Sequence, residues 1–431
     1  NEIVIDNDDA VKSVYYFEKE ASKRWKKCDS LGFANRYRLK DGENPFRMGT
    51  VRQAKATKRK KTSQVSYQPR FKEAGKYAVY VSYQSLPKSV SDARYIVYHK
   101  GEATEFSVNQ RMGGGTWVYL GTFDFDKGCN EFNRVVCTNK ASRRGVVTTD
   151  AVRFGGGMGN IERGGYTSGL PRCLEGARYY AQWAGAPYKV YGGRKGENDY
   201  ADDINTRSLM TNWLGGGSVY MPAKNGKHVP IELSLALHSD AGYNKDGKST
   251  VGALAICTTD YNDGILNSGI SRFTSKDFAR ALRDNLVTDL TAQFGEFGKR
   301  YLWDRNYSET RLPEVPSAIL EMLSHQNFPD MRIAQDPLGK FYIARSIYKT
   351  ILRFVNSNHG TRYVVQPLAP QNFSVTQNQG VALLSWTAQL DKTEPSARPT
   401  SYIIYKAEGQ GGFDNGTIVN TTRCQMQLEP G

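Results

Sequence analysis

In the first third of the chain, apolar and polar residues alternate in short runs that end on glycine turns. A period of two belongs to half-buried β-strands. The runs are YAVYVSYQ (77–84), RYIVYHK (94–100), ATEFSVNQ (103–110), WVYLGTFDF (117–125) and VVTTDAVRF (146–154). Their spacing predicts a β-sandwich over residues 1–155. The stretch GGGMGNIERGGYTSG that follows is Gly-rich and reads as a loop. It comes after a strand but lacks Gly-x4-Gly-Lys-Ser/Thr, so it is not a phosphate cradle.

From there the pattern turns to alternating helices and strands, the signature of an α/β domain. Pro171 to Trp183 reads as a helix, with Pro in its first turn and Gly185 past its end. YKVYG (188–192) reads as a strand and DDINTRSLMTNWL (202–214) as a helix. IELSLALH, VGALAICTT (251–259) and VPSAILEML read as strands. In SKDFARALRDNLVTDLTAQF (275–294) Phe278, Leu282, Leu286, Leu290 and Phe294 recur every four residues, with Ser275 or Thr274 as the cap. GKFYIARSIYKTILRFV (339–355) is the last helix, closing an α/β domain over residues 156–360. A third segment, 366–431, carries strand-like runs around Trp386, Tyr402 and Tyr405.

At 431 residues the chain exceeds what one core serves, which fits this multidomain division. Hydrophobic content is 39% and mean hydropathy −0.57, and no run of 18 apolar residues offers a membrane span. Asn1 is not an initiator Met, and the chain opens on a strand-like EIVIDNDD. This suggests a mature or truncated piece of a protein that is periplasmic, on the cell surface or secreted. The net charge of +15 is uneven: residues 1–155 hold 29 Lys+Arg against 17 Asp+Glu. The densest run, KATKRKK (55–61), reads as a solvated loop or as an attractor for an acidic polymer. No zinc finger, helix-turn-helix or RNP-like stretch points to nucleic acid. The six cysteines lack Cys-x2-Cys spacing, which argues against a Cys-based zinc site. The eight-residue spacing of Cys129 and Cys137 permits a disulfide across a hairpin but does not require one, and the other cysteines read as small buried hydrophobes.

Two runs carry the chemistry. IELSLALHSDAG (231–242) is a buried-looking strand ending at His238. VPSAILEMLSHQNF (315–328) puts Glu321 where the pattern asks for a hydrophobe. Strand ends are where open α/β sheets place their sites. An imidazole can hold zinc, and a carboxylate nearby can take a proton from water.

Residues 113–128 (GGGTWVYLGTFDFDKG) and 145–155 (GVVTTDAVRFG), with 92–110 and VIDNDDA (4–10), resemble the golvesin C-terminal-like β-sandwich module over nearly the whole first third. The central domain resembles zinc-dependent N-acetylmuramoyl-L-alanine amidases of the amidase-3 class, which implies a mixed sheet flanked by helices. SLALHSDAG matches the family's strand-end metal His at His238, and PSAILEMLSHQNFPD matches its catalytic Glu at Glu321. Glu175 in PRCLEGARYYAQWAG matches the metal Glu. The family's first His, in a GHGG loop, has no counterpart between residues 100 and 227, so this third ligand is expected upstream of Asn1. LSHQN replaces the family's Gly-Phe run and puts His325 near Glu321. Asp240, His325, Arg311 and Arg207 are expected as supporting or substrate-contacting residues, with Tyr307 a further donor. The segment from Pro367 resembles the start of a fibronectin type III domain, short of the ~100 residues such a sandwich needs.

Together these resemblances imply Zn2+ as cofactor and peptidoglycan or another acidic cell-surface polymer as partner. Cell-envelope proteins of Bacteroidetes labelled xanthan lyase resemble the arrangement. Two other readings compete with a hydrolase: a non-catalytic glycan-binding or adhesion protein that keeps the fold, and a polysaccharide lyase.

Overall fold

A computed structural model describes residues 2–9, 14–21, 23–36, 38–156, 160–163, 166–167, 176–407, 409, 414 and 416–428. The chain forms two compact units. The first comprises Asn1–Ser234, Thr258–Ser275 and Asn306–Ser317, and the second Leu235–Cys257, Lys276–Arg305 and Ala318–Gly431.

In the first unit, Glu2–Asp6, Ala151–Gly155, Gly75–Val81 and Val118–Phe125 lie side by side in one antiparallel sheet. Tyr16–Lys19, Gln64–Tyr67, Arg134–Thr138, Ala93–His99 and Glu102–Val108 make a second. Alternation buries one side of each: Val79, Val81, Phe125 and Phe154 of the first join Val65, Tyr95, Val97 and Val135 of the second in one core. A β-sandwich is therefore present, as the period of two predicts. VVTTDAVRF is two strands instead of one: Val146–Thr149 joins a third sheet and Ala151–Gly155 the first. The break is at the buried Asp150, whose carboxyl Oδ2 accepts the Phe33 N–H at 2.9 Å. The Gly-rich stretch read as a loop contains two short paired strands, Asn160–Arg163 and Tyr166–Thr167.

The same unit takes in helices Ala177–Trp183, Tyr188–Tyr191 and Asp199–Gly215. Trp183 and Ala184 pack with Phe33, Phe46, Tyr80 and Trp117 of the sandwich. The fully buried Arg153 stacks its guanidinium 4.0 Å from the Tyr80 ring centre and 5.2 Å from that of Trp117. The strand expected at YKVYG is a helical turn. Pro187 sits at its N-cap, and Val190 and Tyr191 bury against Trp213. Proline's fixed φ favours a helix start, and four residues hold too little alternation to decide otherwise.

No disulfide joins Cys129 and Cys137, both of which are free thiols. Cys137 is buried on its strand, with its thiol pushed up to about 12 by burial, and Cys129 accepts from the Gln68 amide at 3.4 Å.

The second unit holds a four-stranded sheet in the order Ser234–Asp240, Ser317–Ser324, Ala253–Cys257, Lys299–Asp304. Helix Phe273–Phe294 buries Phe278, Leu282, Leu286 and Leu290, as its four-residue spacing predicts. Its start is Phe273, whose N–H bonds Ser271 Oγ at 3.2 Å, so the cap lies upstream of Thr274 and Ser275. Helix Pro337–His359 is capped by Asp336, which accepts the Leu338 N–H at 2.8 Å. Beyond it, Gln371–Asn378, Val381–Thr387 and Arg423–Gln427 form a small sheet that buries Trp386 with Leu384 and Ile404. Among the described residues no helix is long and apolar enough to cross a membrane.

Candidate functional site

The second unit's sheet positions the chemistry. Successive side chains on a strand take opposite faces, and directly paired residues share one. Leu254 pairs with Glu321, Ile256 with Ile319, and Ile256 again with Trp303. Leu254, Ile256 and Ile319 form one apolar cluster, with Ala236 and Trp303 packed against it. His238 follows Ala236 by two positions, and Glu321 follows Ile319 by two. One face therefore carries His238 and Glu321 on hydrogen-bonded neighbour strands, both partly buried. The His238 strand is an edge strand with Leu237 52% exposed, so it is not the buried strand its composition suggests. Among the described residues no strand lies on its outer flank.

Asp240, two positions beyond His238 on the same strand, shares its face. Its Oδ2 lies 2.8 Å from Nη1 of Arg300, and its Oδ1 accepts the Ala241 N–H at 2.8 Å. Arg300 starts from the opposite edge strand, so this pair reaches across the two inner strands. A guanidinium is thereby fixed on the face that holds His238 and Glu321. Sequence reasoning missed Arg300, because a register shift between Ala253 and Ala255 breaks the alternation that would send it to the face opposite Trp303.

His325 is exposed at the end of the Glu321 strand. Its Nδ1 is 3.2 Å from both the hydroxyl and the carbonyl of Ser239, and its N–H donates to Asp240 O at 2.9 Å. Ser239 alternates to the face opposite His238, and the imidazole is held there. The turn after the strand is locked by the buried Asp330. Its carboxylate accepts from the N–H groups of Val251 (2.8 Å), Gly252 (2.9 Å) and Ser324 (3.1 Å) and from the Asn327 amide (2.6 Å).

The other expected residues belong to the first unit or lie outside the described residues. Arg207 and Arg311 belong to the first unit. Arg207 pairs with Asp203 at 3.3 Å and Glu309 at 3.4 Å, and Arg311 donates to Asn306 Oδ1 at 2.7 Å. Tyr307 is also in the first unit, 48% exposed. Glu175 lies outside the described residues. Among the described residues no group of three or more His, Cys, Asp or Glu is arranged to hold a metal ion.

Residues 41–156 match the Golvesin C-terminal domain family. The xanthan lyase of Bacillus sp. (strain GL1) is 34% identical over 97 residues, covering 22% of this chain and 10% of that protein. The chain thus spans about a tenth of the length of the curated relative it matches. Among solved structures, a Paenibacillus xanthan lyase aligns with a TM-score of 0.28 and 21% identity over 36% of this chain and 13% of the other. The N-acetylmuramoyl-L-alanine amidase of Clostridium difficile 630 aligns with a TM-score of 0.25 and 13% identity, over 39% of this chain and 80% of the other.

Proposed function

We propose that this chain is part of a zinc-dependent amidohydrolase of the cell envelope. Its substrate is the N-acetylmuramoyl-L-alanine amide of peptidoglycan or a related amide. The observation that carries this reading is the shared sheet face of His238 and Glu321, the two residues whose surrounding runs resemble the amidase-3 motifs. On that face Asp240 anchors the Arg300 guanidinium as an ion pair at 2.8 Å.

A bound zinc would polarise the amide carbonyl and lower the pKa of its water. Such an ion takes three protein donors. The described residues contribute His238 towards that set, and Glu175 belongs to the proposal as a second donor. What the described residues account for is proton transfer and charge stabilisation. Glu321 takes a proton from the attacking water and passes it to the leaving amine. Arg300, anchored by Asp240, stabilises negative charge growing on the carbonyl oxygen.

The test is Glu321→Gln in the protein carrying all three metal donors, assayed for release of free peptide amine from a muramoyl peptide and for zinc content. Hydrolysis should be lost while bound zinc is unchanged. Zinc loss would make Glu321 a ligand, and undiminished turnover would make it structural.

A glycan-binding protein that keeps the fold is the second reading. It is favoured by the parallel rings of Tyr301 and Trp303, 6.2 Å apart at 12°, with Tyr301 68% exposed. Retention on a glycan column without hydrolysis at any zinc loading would select it.

A further inference from the structure

A cavity of ≈ 570 Å3 lies wholly within the first unit, inside the ~300–1,000 Å3 range of small-molecule sites. Sandwich loops supply Arg47, Gln84 and Gly115 to its wall, and the segment after the sandwich supplies Tyr188, Trp213 and Lys227. Arg47 and Lys227 are both cations, brought together from positions 180 residues apart. Neither Asp nor Glu is among the described lining residues.

The positions of these groups are set by bonds. Lys227 Nζ donates to Gly114 O at 2.5 Å and sits 5.1 Å from the Trp213 ring centre. Gln84 Nε2 donates to Leu31 O at 2.9 Å. Gly115 keeps the space open: a Cβ there would stand 3.1 Å from Lys227 Nζ and 3.3 Å from Gln84 Nε2. Burial and the charge of Arg47 push the Lys227 ammonium down to about 8. Two cations lining one cavity, Lys227 in a partly dry part of its wall, favour an anion there.

We propose that this cavity binds a carboxylate-bearing sugar of an acidic glycan. The carboxylate takes charge-assisted hydrogen bonds from Arg47 and Lys227. The rings of Trp213 and Tyr188 give the sugar ring an apolar wall. The excess of 29 basic over 17 acidic residues in positions 1–155 draws the polymer in from a distance. This site is independent of Glu321 and of the hydrolase reading.

The test is calorimetric titration of the full chain with a tetraglucuronate, a neutral glucose tetrasaccharide and inorganic phosphate. The acidic tetrasaccharide should bind at least about 10-fold more tightly than the neutral one. Arg47→Gln and Lys227→Gln should each weaken it about 10-fold or more, and Glu321→Gln should not. Affinity should fall as pH rises past about 8, where Lys227 loses its proton. Arg47 is exposed, so Arg47→Gln stays folded and keeps the test open if Lys227→Gln does not. Equal binding of the neutral sugar, or unchanged binding by Arg47→Gln, overturns the proposal. Displacement of the tetraglucuronate by an equal concentration of phosphate assigns the cavity to phosphate and overturns it as well.

Discussion

Single side chains set the clearest expectations. The Arg300 and Asp240 side chains are 20% and 33% exposed, so solvent screens the pair in part, and screened pairs contribute only ~0–1 kcal/mol to stability. Arg300→Ala should therefore leave the unfolding midpoint nearly unchanged, while amide hydrolysis falls about 100-fold if the guanidinium faces the oxyanion. Turnover lost in step with stability would make Arg300 merely structural. In the first unit, burial, with repulsion from Asp150, raises the Asp6 carboxyl to about 9, and burial, with repulsion from Asp8, raises that of Asp150 to about 8. Both values exceed the ordinary 3.8, so the folded state binds more protons than the unfolded chain between those limits. Stability carried by these groups is full below about pH 4 and is lost as pH rises towards 8 and 9. Asp150→Asn keeps an acceptor for the Phe33 N–H and removes one of the two titrations. Its melting temperature should fall less between pH 5 and 8 than that of the parent.

At the scale of elements, close approach of backbone limits what sequence can change. Gly252 opens the Ala253–Cys257 strand at φ +81°, and a Cβ there would overlap Gly298 O. Left-handed backbone alone costs an L-residue ~1–2 kcal/mol, and the clash adds to it. Gly252→Ala should lower the urea midpoint, and a midpoint within error of the parent would show that the strand start is free to move. Helix Phe273–Phe294 tests packing instead. Leu286 is fully buried on it, so Leu286→Ala should cost ~2–5 kcal/mol in chemical denaturation. The strand read at YKVYG shows the limit of local pattern: four residues fit either period, and Pro187 with the buried contacts of Val190 and Tyr191 selects the helical turn.

For the whole molecule, charge and period divide the labour. Alternation in residues 77–154 is enough to predict a sandwich, because a half-buried strand must show one apolar side whatever its neighbours are. Amphipathic spacing does the same for the helix at 275–294, and the motif runs around His238 and Glu321 stand out because a titratable group replaces an expected hydrophobe. Neighbourhood is a different matter. That the His238 strand is an edge, that its alternation shares a face with Glu321, and that Arg300 meets Asp240 sixty positions away depend on strand order and register. Those are settled by the joint burial of every strand in the sheet, which no local window contains. The same holds for Lys227 beside Arg47, and for Cys129 and Cys137, whose spacing permits a bridge that the strand geometry leaves unmade. Period and residue type are properties of the chain itself; partners are chosen only when its segments compete to bury the same surface.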